Sequence, residues 1–505
     1  MHKRVLIVNT FFDEYRRSSG SPSRIPGAMG PVYLAGAFNP KTVEVRAHNE
    51  QYSGPLLDPA LLGWPDLMVL TGLTSSFDRM LHLTAYARAL NPKVVVAAGG
   101  PAVRALPRRA AQFFDYPSTG DIEALRDIAR DVLGPDAVAE DMFPRFDLGD
   151  RRRLVAYVES SRNCNFRCSF CSLTGEKARY QRYDLKFLER QLLAVGRKHV
   201  VLIDNNFYGN DRSFFEQRVA LLRDFYRTGR IRSWAALVTG DFFIREENLR
   251  LVREAGCLAL FSGVESFDNA TLRSFNKKQS TLLPQVEMIA RCLDAGVLFL
   301  YGVMADPSSR SLADLRNEIQ FIVDRDEISL PSFFTLAIPL LGTPYFKACA
   351  EAGLLLPRLR LRELDGLALA LKPLDPIEDA IAFARDLPNL RGYRLDVLKH
   401  VVRFARRYAH KLSPLQMLIA SMNGALIATE SAVSSPTALR ARRAELTYFA
   451  PTETLDPLYR PAMRLPAGFE RYFTPTMVTE SDGRLSPDIA SDMRIPERQK
   501  LPLAG

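Results

Sequence analysis

Cys164-Asn165-Phe166-Arg167-Cys168-Ser169-Phe170-Cys171 is the stretch that decides the fold, because it places three of the chain's six cysteines just after an apolar run at 154–158. Thiolates are soft ligands that suit zinc or iron–sulfur clusters. A structural zinc site or a fully protein-ligated cubane takes four ligands, and no fourth cysteine or histidine lies nearby in the sequence. Three ligands would leave one iron of a four-iron cluster open to a further molecule. The spacing therefore predicts a catalytic iron–sulfur cluster, with a zinc or disulfide knot and a chance grouping of buried thiols as alternatives.

Composition is typical of a soluble globular protein in a reducing compartment. The chain has 505 residues, 47% of them hydrophobic and 25% charged, and this length suggests about three domains. The six cysteines show no paired pattern, which indicates a reducing environment. The apolar part of the N-terminus is too short for a signal peptide and lacks a small-residue cleavage site, so we expect a cytoplasmic protein.

The net charge of +10 could indicate nucleic-acid binding. The arginines are dispersed, however, with short runs only at 151–153 and 406–407, and no RNA-binding motif accompanies them. We therefore expect no nucleic-acid partner. A solvated, arginine-rich surface accounts for the charge, and anionic lipid or an acidic substrate stays open.

Residues 1–140 alternate between short apolar runs and helix-length stretches, which predicts an α/β domain with a doubly wound, Rossmann-like parallel sheet. In such sheets ligands bind at the carboxyl ends of the strands. The candidate binding loops are therefore Asn9 to Thr10, Gly72 to Ser76 and Gly99 to Pro101.

From residue 154 to about 350 the strand-then-helix pattern repeats, and polar residues follow several strands. Asp204-Asn205-Asn206 ends one apolar run, and Gly263-Val264-Glu265-Ser266 ends another. Each of these residues could simply cap the helix that follows. Their order after the cysteine motif favours a shared ligand site instead.

The cysteine spacing with an aromatic residue, Phe170, before the last cysteine resembles the signature of the radical S-adenosylmethionine (SAM) superfamily. This resemblance implies a partial (β/α)6 barrel over 154–350 and a [4Fe-4S] cluster whose open iron chelates SAM and cleaves it to a 5′-deoxyadenosyl radical. The implied residues are cluster ligands and SAM contacts: Cys164, Cys168 and Cys171 on the cluster, and Asp204, Asn206, Gly263, Glu265 and Ser266 on SAM. The catalytic residues stay unknown.

The N-terminal domain resembles the cobalamin (B12)-binding domain that precedes the radical domain in one branch of that superfamily. The implied cobalamin-binding residues are Thr74, Ser75, Gly99 and Gly100. The chain lacks Asp-x-His-x-x-Gly, which supplies the lower axial histidine in other cobalamin proteins, and His48 is not in that context. The alternative is a degenerate domain that only shapes the substrate pocket.

The remaining chain divides into a linker, a helical region and a tail. Residues 141–153 are the expected linker, 351–450 a helical C-terminal domain that would cover the barrel mouth, and 451–505 a Pro-rich, partly disordered tail. The helix opened by Ser413-Pro414 is too polar for a confident membrane span. The basic helix before it is interpreted as a solvated face, although peripheral membrane contact is possible.

The favoured function is a cobalamin-dependent radical SAM methyltransferase. The adenosyl radical would remove a hydrogen from an unactivated carbon, and methylcobalamin would deliver a methyl radical to it, on a large apolar or lipid-like substrate such as a hopanoid, a tetrapyrrole or a natural-product intermediate. An electron donor such as a flavodoxin or ferredoxin is the expected partner. The alternatives are a radical SAM cyclase or rearrangement enzyme and a non-catalytic metal-binding module that recognises RNA or protein.

Overall fold

The computed structural model describes residues 2–11, 29–149, 154–176, 179–209, 211–366, 368–387, 390–433, 463 and 465–492. Within these residues the strands fall into an N-terminal and a central group. They are β1 (Lys3–Thr10), β2 (Val43–Asn49), β3 (Leu67–Gly72), β4 (Val95–Ala98), β5 (Tyr116–Pro117), β6 (Val155–Val158), β7 (Ser161–Arg162), β8 (Gln181–Arg182), β9 (His199–Leu202), β10 (Ser233–Leu237), β11 (Cys257–Glu265), β12 (Leu298–Ala305) and β13 (Phe333–Leu336).

Helices connect almost all of these strands. The α-helices are α1 (Gly30–Leu34), α2 (Glu50–Ser53), α3 (Pro59–Gly63), α4 (Phe77–Leu90), α5 (Pro101–Ala105), α6 (Pro107–Ala111), α7 (Ala124–Leu133), α8 (Ser172–Gly175), α9 (Leu185–Val195), α10 (Arg212–Arg227), α11 (Glu246–Glu254), α12 (Asn269–Ser274), α13 (Gln285–Asp294), α14 (Leu312–Asp324), α15 (Pro344–Glu351), α16 (Ile377–Asp386), α17 (Arg394–Tyr408), α18 (Pro414–Val433) and α19 (Pro487–Asp492). Short 3₁₀ turns lie at Ala35–Ala37, Thr74–Ser76, Pro135–Ala137, Phe146–Leu148, Gly240–Ile244, Lys278–Ser280, Leu361–Glu363 and Glu470–Tyr472.

The N-terminal sheet is parallel, with the strand order β2-β1-β3-β4-β5. This is a doubly wound order, in which ligands bind outside the carboxyl ends of the strands. Strand β1 is buried on both faces: Leu6 and Val8 belong to one hydrophobic core, and Val5 and Ile7 to another. The near-continuous apolar run of β1 follows from this double burial.

The central sheet contains six parallel strands in the order β6-β9-β10-β11-β12-β13, with helices packed outside, which is an open half-barrel. The predicted α/β fold class is therefore confirmed. The cysteine stretch follows the first barrel strand and lies between β7 and β8, which pair with each other antiparallel. It consequently lies at the carboxyl edge of the barrel, where barrel enzymes place their ligands.

Residues after the barrel pack partly on the barrel core and partly on a core of the N-terminal domain. Helices α16 and α17 pack on the barrel core through Phe383, Val397 and Phe404, whereas residues of the segment 355–371 belong to one core of the N-terminal domain. The expectation that the helical region covers the barrel mouth is wrong for α18, and residues 434–450 of that region lie outside the described residues. The Gln416 side-chain amide in α18 donates to the carbonyl oxygens of Leu258 (2.8 Å) and Gly296 (3.0 Å), which would otherwise lack partners. These carbonyls lie at the amino ends of β11 and β12, at the end of the barrel opposite the cysteines.

Part of the tail is packed against the N-terminal domain. The backbone N–H of Thr476 donates to the Asp78 carboxylate, and Phe473 stacks on His82 at 4.6 Å between ring centroids. Residues 451–462, 464 and 493–505 of the tail and 150–153 of the linker lie outside the described residues. Within the described residues, the helices are too short or too polar to cross a bilayer.

Candidate active site

The three motif cysteines lie together in the loop 163–171, which we call the cluster loop. Cys168 is buried and the other two are half-buried. The Phe166 N–H lies 3.5 Å from the Cys164 sulfur, and the Gln279 amide donates to the Cys168 sulfur at 3.2 Å. N–H groups directed at sulfur stabilise thiolates and tune iron–sulfur clusters. The chain's remaining cysteines are buried elsewhere: Cys257, Cys292 and Cys349.

Burial opposes ionisation of the motif thiols when they have no metal. It raises the pKa of Cys164 to about 11 and also raises the pKa of Cys171. Metal binding would therefore release protons from these thiols. Among the described residues, no three His, Cys, Asp or Glu side chains converge on one point to hold a single metal ion. A cubane does not need such convergence, since each thiolate binds a different iron.

The turn after β9 holds the chain that leads into the cluster loop. Asp204 is fully buried, and its carboxylate accepts the Ser160 N–H (2.8 Å), the Ser160 hydroxyl (2.5 Å) and the Ser161 hydroxyl (2.6 Å). It also pairs with the equally buried Arg218 at 3.1 Å. These four donors fill the acceptor sites of a carboxylate. This arrangement directs Asp204 toward the protein rather than toward a ligand.

The next two residues of this turn continue the pattern. Asn205 accepts the Asn163 N–H at 3.0 Å, and the Asn206 amide donates to the Asn165 side chain at 2.8 Å. The side-chain oxygen of the buried Asn206 has no partner among the described residues, and neither does that of Gln279. Buried polar atoms are normally paired. Two unpaired acceptors beside the cluster loop therefore fit a ligand with N–H donors.

Strand β11 is distorted where the Gly-x-Glu-Ser motif ends it. The pairing with β12 shifts register between Gly263 and Glu265, and Glu265 has a φ of 62°. The Glu265 carboxylate accepts a 2.8 Å bond from Lys277, and a Cβ on Gly263 would collide with both of these side chains. Ser266 points elsewhere, because its hydroxyl is buried and donates to Glu318 of α14 at 2.6 Å.

Lys277 is a site residue that no sequence motif indicated. It is 7% exposed, and its ammonium lies between Glu265 and the cluster loop, 5.6 Å from the centroid of the Phe170 ring. Burial disfavours the charged form, but Glu265 and the neighbouring cysteines hold the pKa of Lys277 above its ordinary value. A buried cation beside the thiols would offset the negative charge of a thiolate-bound cluster.

The loop after β13 supports the cluster loop from the other side. Thr343 caps α15, whose Tyr345 N–H donates to the carbonyl oxygen of Ser169 at 3.0 Å. A Cβ on Gly175 of α8 would come within 2.9 Å of the Gly342 carbonyl oxygen. This close packing explains why glycines occur on both sides of the contact.

A cavity of about 140 Å³ lies at the carboxyl edge of the N-terminal sheet. Gly99, Gly100, Ser118, Gly120 and Asp121 line it. The two predicted glycines differ in their surroundings. A Cβ on Gly99 would meet only Ser118, at 3.9 Å, whereas Gly100 has a φ of 115° and its Cβ would lie 2.6 Å from a backbone oxygen. The fold therefore requires glycine at 100, while Gly99 leaves space for a ligand.

The other predicted cobalamin residues do not line this cavity. Thr74 belongs to the 3₁₀ turn Thr74–Ser76, which packs against the turn Leu361–Glu363, and Ser75 lies beside it in the same turn. Leu34, Thr71 and Leu125 line the cavity instead. These positions belong to ordinary apolar or helical patterns, and the sequence alone marked none of them.

Ion pairs connect the cavity wall to the cluster loop. Arg104 contacts Asp121 (3.8 Å) and pairs with Glu176, which directly follows α8. Arg162, two residues before the first motif cysteine, contacts the same Asp121 at 3.5 Å and pairs with Glu159 at 2.9 Å. We call these five residues the ion-pair bridge. They join one wall of the N-terminal cavity to both ends of the cluster loop.

Comparisons with known proteins agree with this geometry. Residues 158–308 match the family model of the radical SAM superfamily. The chain is 24% identical over 446 residues to the hopanoid C-2 methylase of Rhodopseudomonas palustris (strain TIE-1), covering 82% of this chain and 81% of that protein. It is 24% identical over 325 residues to the bacteriochlorophyllide d C-8(2)-methyltransferase of Chlorobaculum tepidum, covering 57% of this chain and 69% of that protein.

A solved structure shares the fold of most of the chain. It is the cobalamin-dependent S-adenosylmethionine radical enzyme OxsB with aqua-cobalamin and S-adenosylmethionine bound. The TM-score is 0.56 at 14% sequence identity, and the match covers 88% of this chain and 79% of that one. The family match spans the strands that carry the cluster loop, the turn after β9 and the Gly-x-Glu-Ser bulge, so residues 158–308 of this protein form a radical SAM domain.

Proposed function

We propose that this protein is a cytoplasmic, cobalamin-dependent radical SAM methyltransferase. Its substrate would be a large apolar molecule, such as a hopanoid, a tetrapyrrole or a natural-product intermediate, methylated at an unactivated carbon. The observation that carries the proposal is the ion-pair bridge, because it holds a cavity in the N-terminal domain directly beside the cluster loop. The names of two relatives, both methylating enzymes, support the same reaction class.

The residues fit the proposed cofactors. Cys164, Cys168 and Cys171 would hold the [4Fe-4S] cluster. Glu265, with the unpaired oxygen of Asn206 and the backbone at Gly263, would contact SAM. Asp204 and Ser266 would act as positioning residues, since their polar atoms are bonded to the protein. When bound, the cluster supplies the electron that cleaves SAM, and cobalamin supplies the methyl group.

Part of a bound cobalamin would enter the N-terminal cavity, whose volume is about 140 Å³. Gly99 faces open space at the sheet edge, so the cavity admits a ligand that a larger side chain would displace. No described residue that lines the cavity is a histidine. We therefore expect the bound corrin to have no protein nitrogen on cobalt. Residues 1–140 would be the cobalamin unit and 154–350 the radical unit.

Two partners belong to the same proposal. A flavodoxin or ferredoxin would reduce the cluster, because the chemistry needs an external electron donor. Peripheral contact with a membrane would bring the enzyme to lipid-rich surroundings. Neither contact needs a bilayer-spanning helix.

Anaerobic reconstitution with iron, sulfide and cobalamin tests the proposal before the substrate is known. The protein is reduced in the presence of SAM carrying a ¹³C-labelled methyl group, and the corrin and nucleoside fractions are analysed by mass spectrometry. We expect labelled methyl on the corrin and 5′-deoxyadenosine among the products. Formation of 5′-deoxyadenosine with no label on the corrin would reject methyl transfer while retaining radical SAM chemistry.

A further inference from the structure

An apolar surface lies on the outer side of the α17–α18 hairpin. Its members are large apolar side chains that are 38% to 71% exposed, here called the hairpin patch: Leu395, Leu398, Val402, Leu415, Leu418 and Met422. The two helices pack against each other. Within each helix the three residues follow the spacing i, i+3, i+7, which puts them on one face. The opposite faces, with Val397 and Phe404 in α17 and Gln416 in α18, are buried on the barrel.

The patch is an unusual feature for a surface in water. Soluble proteins expose single leucines often, but contiguous apolar patches mark contacts with another body. The sequence of α18 adds to it, because no charged residue occurs from Pro414 to Thr429. Helix α18 therefore has the composition of a helix that lies on an apolar surface.

Basic residues surround this patch. Lys399 and Arg406 fall on the exposed face of α17, next to Leu395 and Val402 by helical spacing. The acidic residues close to the hairpin are already paired: Asp396 with Lys399, Asp326 with Arg407 and Asp294 with Lys411. These pairs also offset the charges of Lys399, Arg407 and Lys411, whereas Arg406 forms no ion pair with another described residue and adds an unpaired positive charge beside the patch.

A basic groove lies at the same end of the barrel. Arg197, Arg227 and Arg232 line it at the amino ends of β9 and β10, and Arg230 is exposed between Arg227 and Arg232 in the sequence; none of the four forms an ion pair with another described residue. We call these four arginines the basic groove. Free guanidinium groups in a cluster attract anions and phosphate esters in particular.

The basic groove and the hairpin patch are parts of one surface. Tyr226, which lines the groove, covers Gly256 at the start of β11. The neighbouring Arg253 side chain lies over Gly296, beside the Lys411 backbone at the hairpin turn. Tyr226, Arg253 and Lys411 thus connect the basic groove to the hairpin turn along the amino end of the barrel.

We propose that the hairpin patch and the basic groove together dock the protein on an anionic lipid bilayer. Apolar side chains would enter the boundary between headgroups and acyl chains, and the arginines would contact lipid phosphates. A second copy of the chain is a poorer occupant, because a symmetric contact would bring two positive surfaces together. Docking by this end turns the cluster loop away from the bilayer and leaves it open to an electron donor.

Flotation of the full-length protein with vesicles tests the proposal. One set of vesicles contains phosphatidylcholine alone, and the other contains equal parts of phosphatidylcholine and phosphatidylglycerol. We expect binding to the anionic vesicles only, and weaker binding as salt is added. The double variant Arg227→Gln/Arg232→Gln should bind about 30-fold more weakly, since each basic residue near the surface contributes about 1 kcal/mol.

A matched pair of leucine variants tests whether the hairpin patch enters the bilayer, as opposed to any effect of adding a negative charge to the protein surface. Leu418 and Leu193 are both 55% exposed, and Leu193 lies in α9, outside the hairpin. Leu418→Glu should lower vesicle binding at least ten-fold, whereas Leu193→Glu should leave it unchanged. Thermal melting of each variant, followed by circular dichroism, is the control for correct folding.

Three results would overturn the proposal. One is equal binding to both kinds of vesicle, and another is full binding by Leu418→Glu. The third is a dimer in solution, seen by light scattering, that Leu418→Glu dissociates, because it would assign the patch to a second copy. Each of these results would also remove the membrane contact from the proposed function but would leave the methyl-transfer assay unaffected, so the docking and the reaction fail separately.

Discussion

Replacing Asp204 by asparagine tests whether this residue positions the cluster loop or contacts SAM. The substitution removes the charge that pairs with Arg218, and both side chains are completely buried. It also places an amide NH₂ among the N–H and hydroxyl donors of Ser160 and Ser161. Breaking a buried ion pair from one side costs about 3–5 kcal/mol, because the remaining charge is left without a partner.

The expected readout is thermal stability. For a unit of the size of this barrel, that cost corresponds to a fall of roughly 6–20 °C in melting temperature. Asp211→Asn is the control, because Asp211 is a more exposed helix N-cap and asparagine caps a helix about as well as aspartate, so the melting temperature should change little. The double variant Asp204→Leu/Arg218→Met should recover part of the loss, since it leaves no unpaired buried charge.

Iron retention and SAM binding complete the test. We expect Asp204→Asn to lose its cluster faster during gel filtration, because Ser160 and Ser161 no longer anchor the chain before Cys164. The reasoning would be refuted by a variant that melts like the wild type and keeps its iron but binds SAM more weakly. That result would make Asp204 a direct SAM contact.

Three further sets of predictions concern the cluster site, the N-terminal cavity and the C-terminal helices. Glu265→Ala should weaken SAM binding, measured by equilibrium dialysis, without loss of iron, and Lys277→Met should make the midpoint potential of the cluster more negative; unchanged affinity and potential would leave both residues as structural groups. Gly99→Leu should keep its melting temperature but lose cobalamin on desalting, whereas Gly100→Ala should lower the melting temperature with or without cobalamin; equal behaviour of the two variants would contradict the cavity assignment. Burial lowers the pKa of His400 to about 4, below the ordinary value of about 6.5. The contribution of the neutral His400 ring to the free energy of unfolding is therefore complete above about pH 6.5 and is lost as the pH falls toward 4. At pH 5 the loss amounts to about 2 kcal/mol. His400→Leu should therefore lose less stability than the wild type between neutral pH and pH 5.

The parts of the fold that could be predicted from sequence are those with a local signal. Strands such as β1 and β4 are short apolar runs buried on both faces, and the cysteine spacing lies within eight residues, so both are visible without tertiary information. The Gly-x-Glu-Ser motif was also located correctly at the carboxyl end of a barrel strand.

The directions of side chains could not be predicted. Ser266 bonds to Glu318, which lies 52 residues further on, and nothing local indicates that contact. Lys277 reaches Glu265 only because the chain turns back at Asn276, which has a φ of 53°. The place where the C-terminal helices pack on the barrel could not be predicted either, because an amphipathic helix such as α17 has the same sequence pattern whichever end of the barrel it covers.

Iron and cobalt content per chain, measured on one anaerobic, corrin-supplemented sample, tests the central claim most directly. We predict about four irons and about one cobalt per chain in the wild type. The triple variant Cys164→Ala/Cys168→Ala/Cys171→Ala should lose the iron and keep the cobalt, and its control, Cys257→Ala/Cys292→Ala/Cys349→Ala, should keep both. A wild-type protein that binds iron but retains no cobalt, or a Cys164→Ala/Cys168→Ala/Cys171→Ala variant that keeps its iron, would contradict the account.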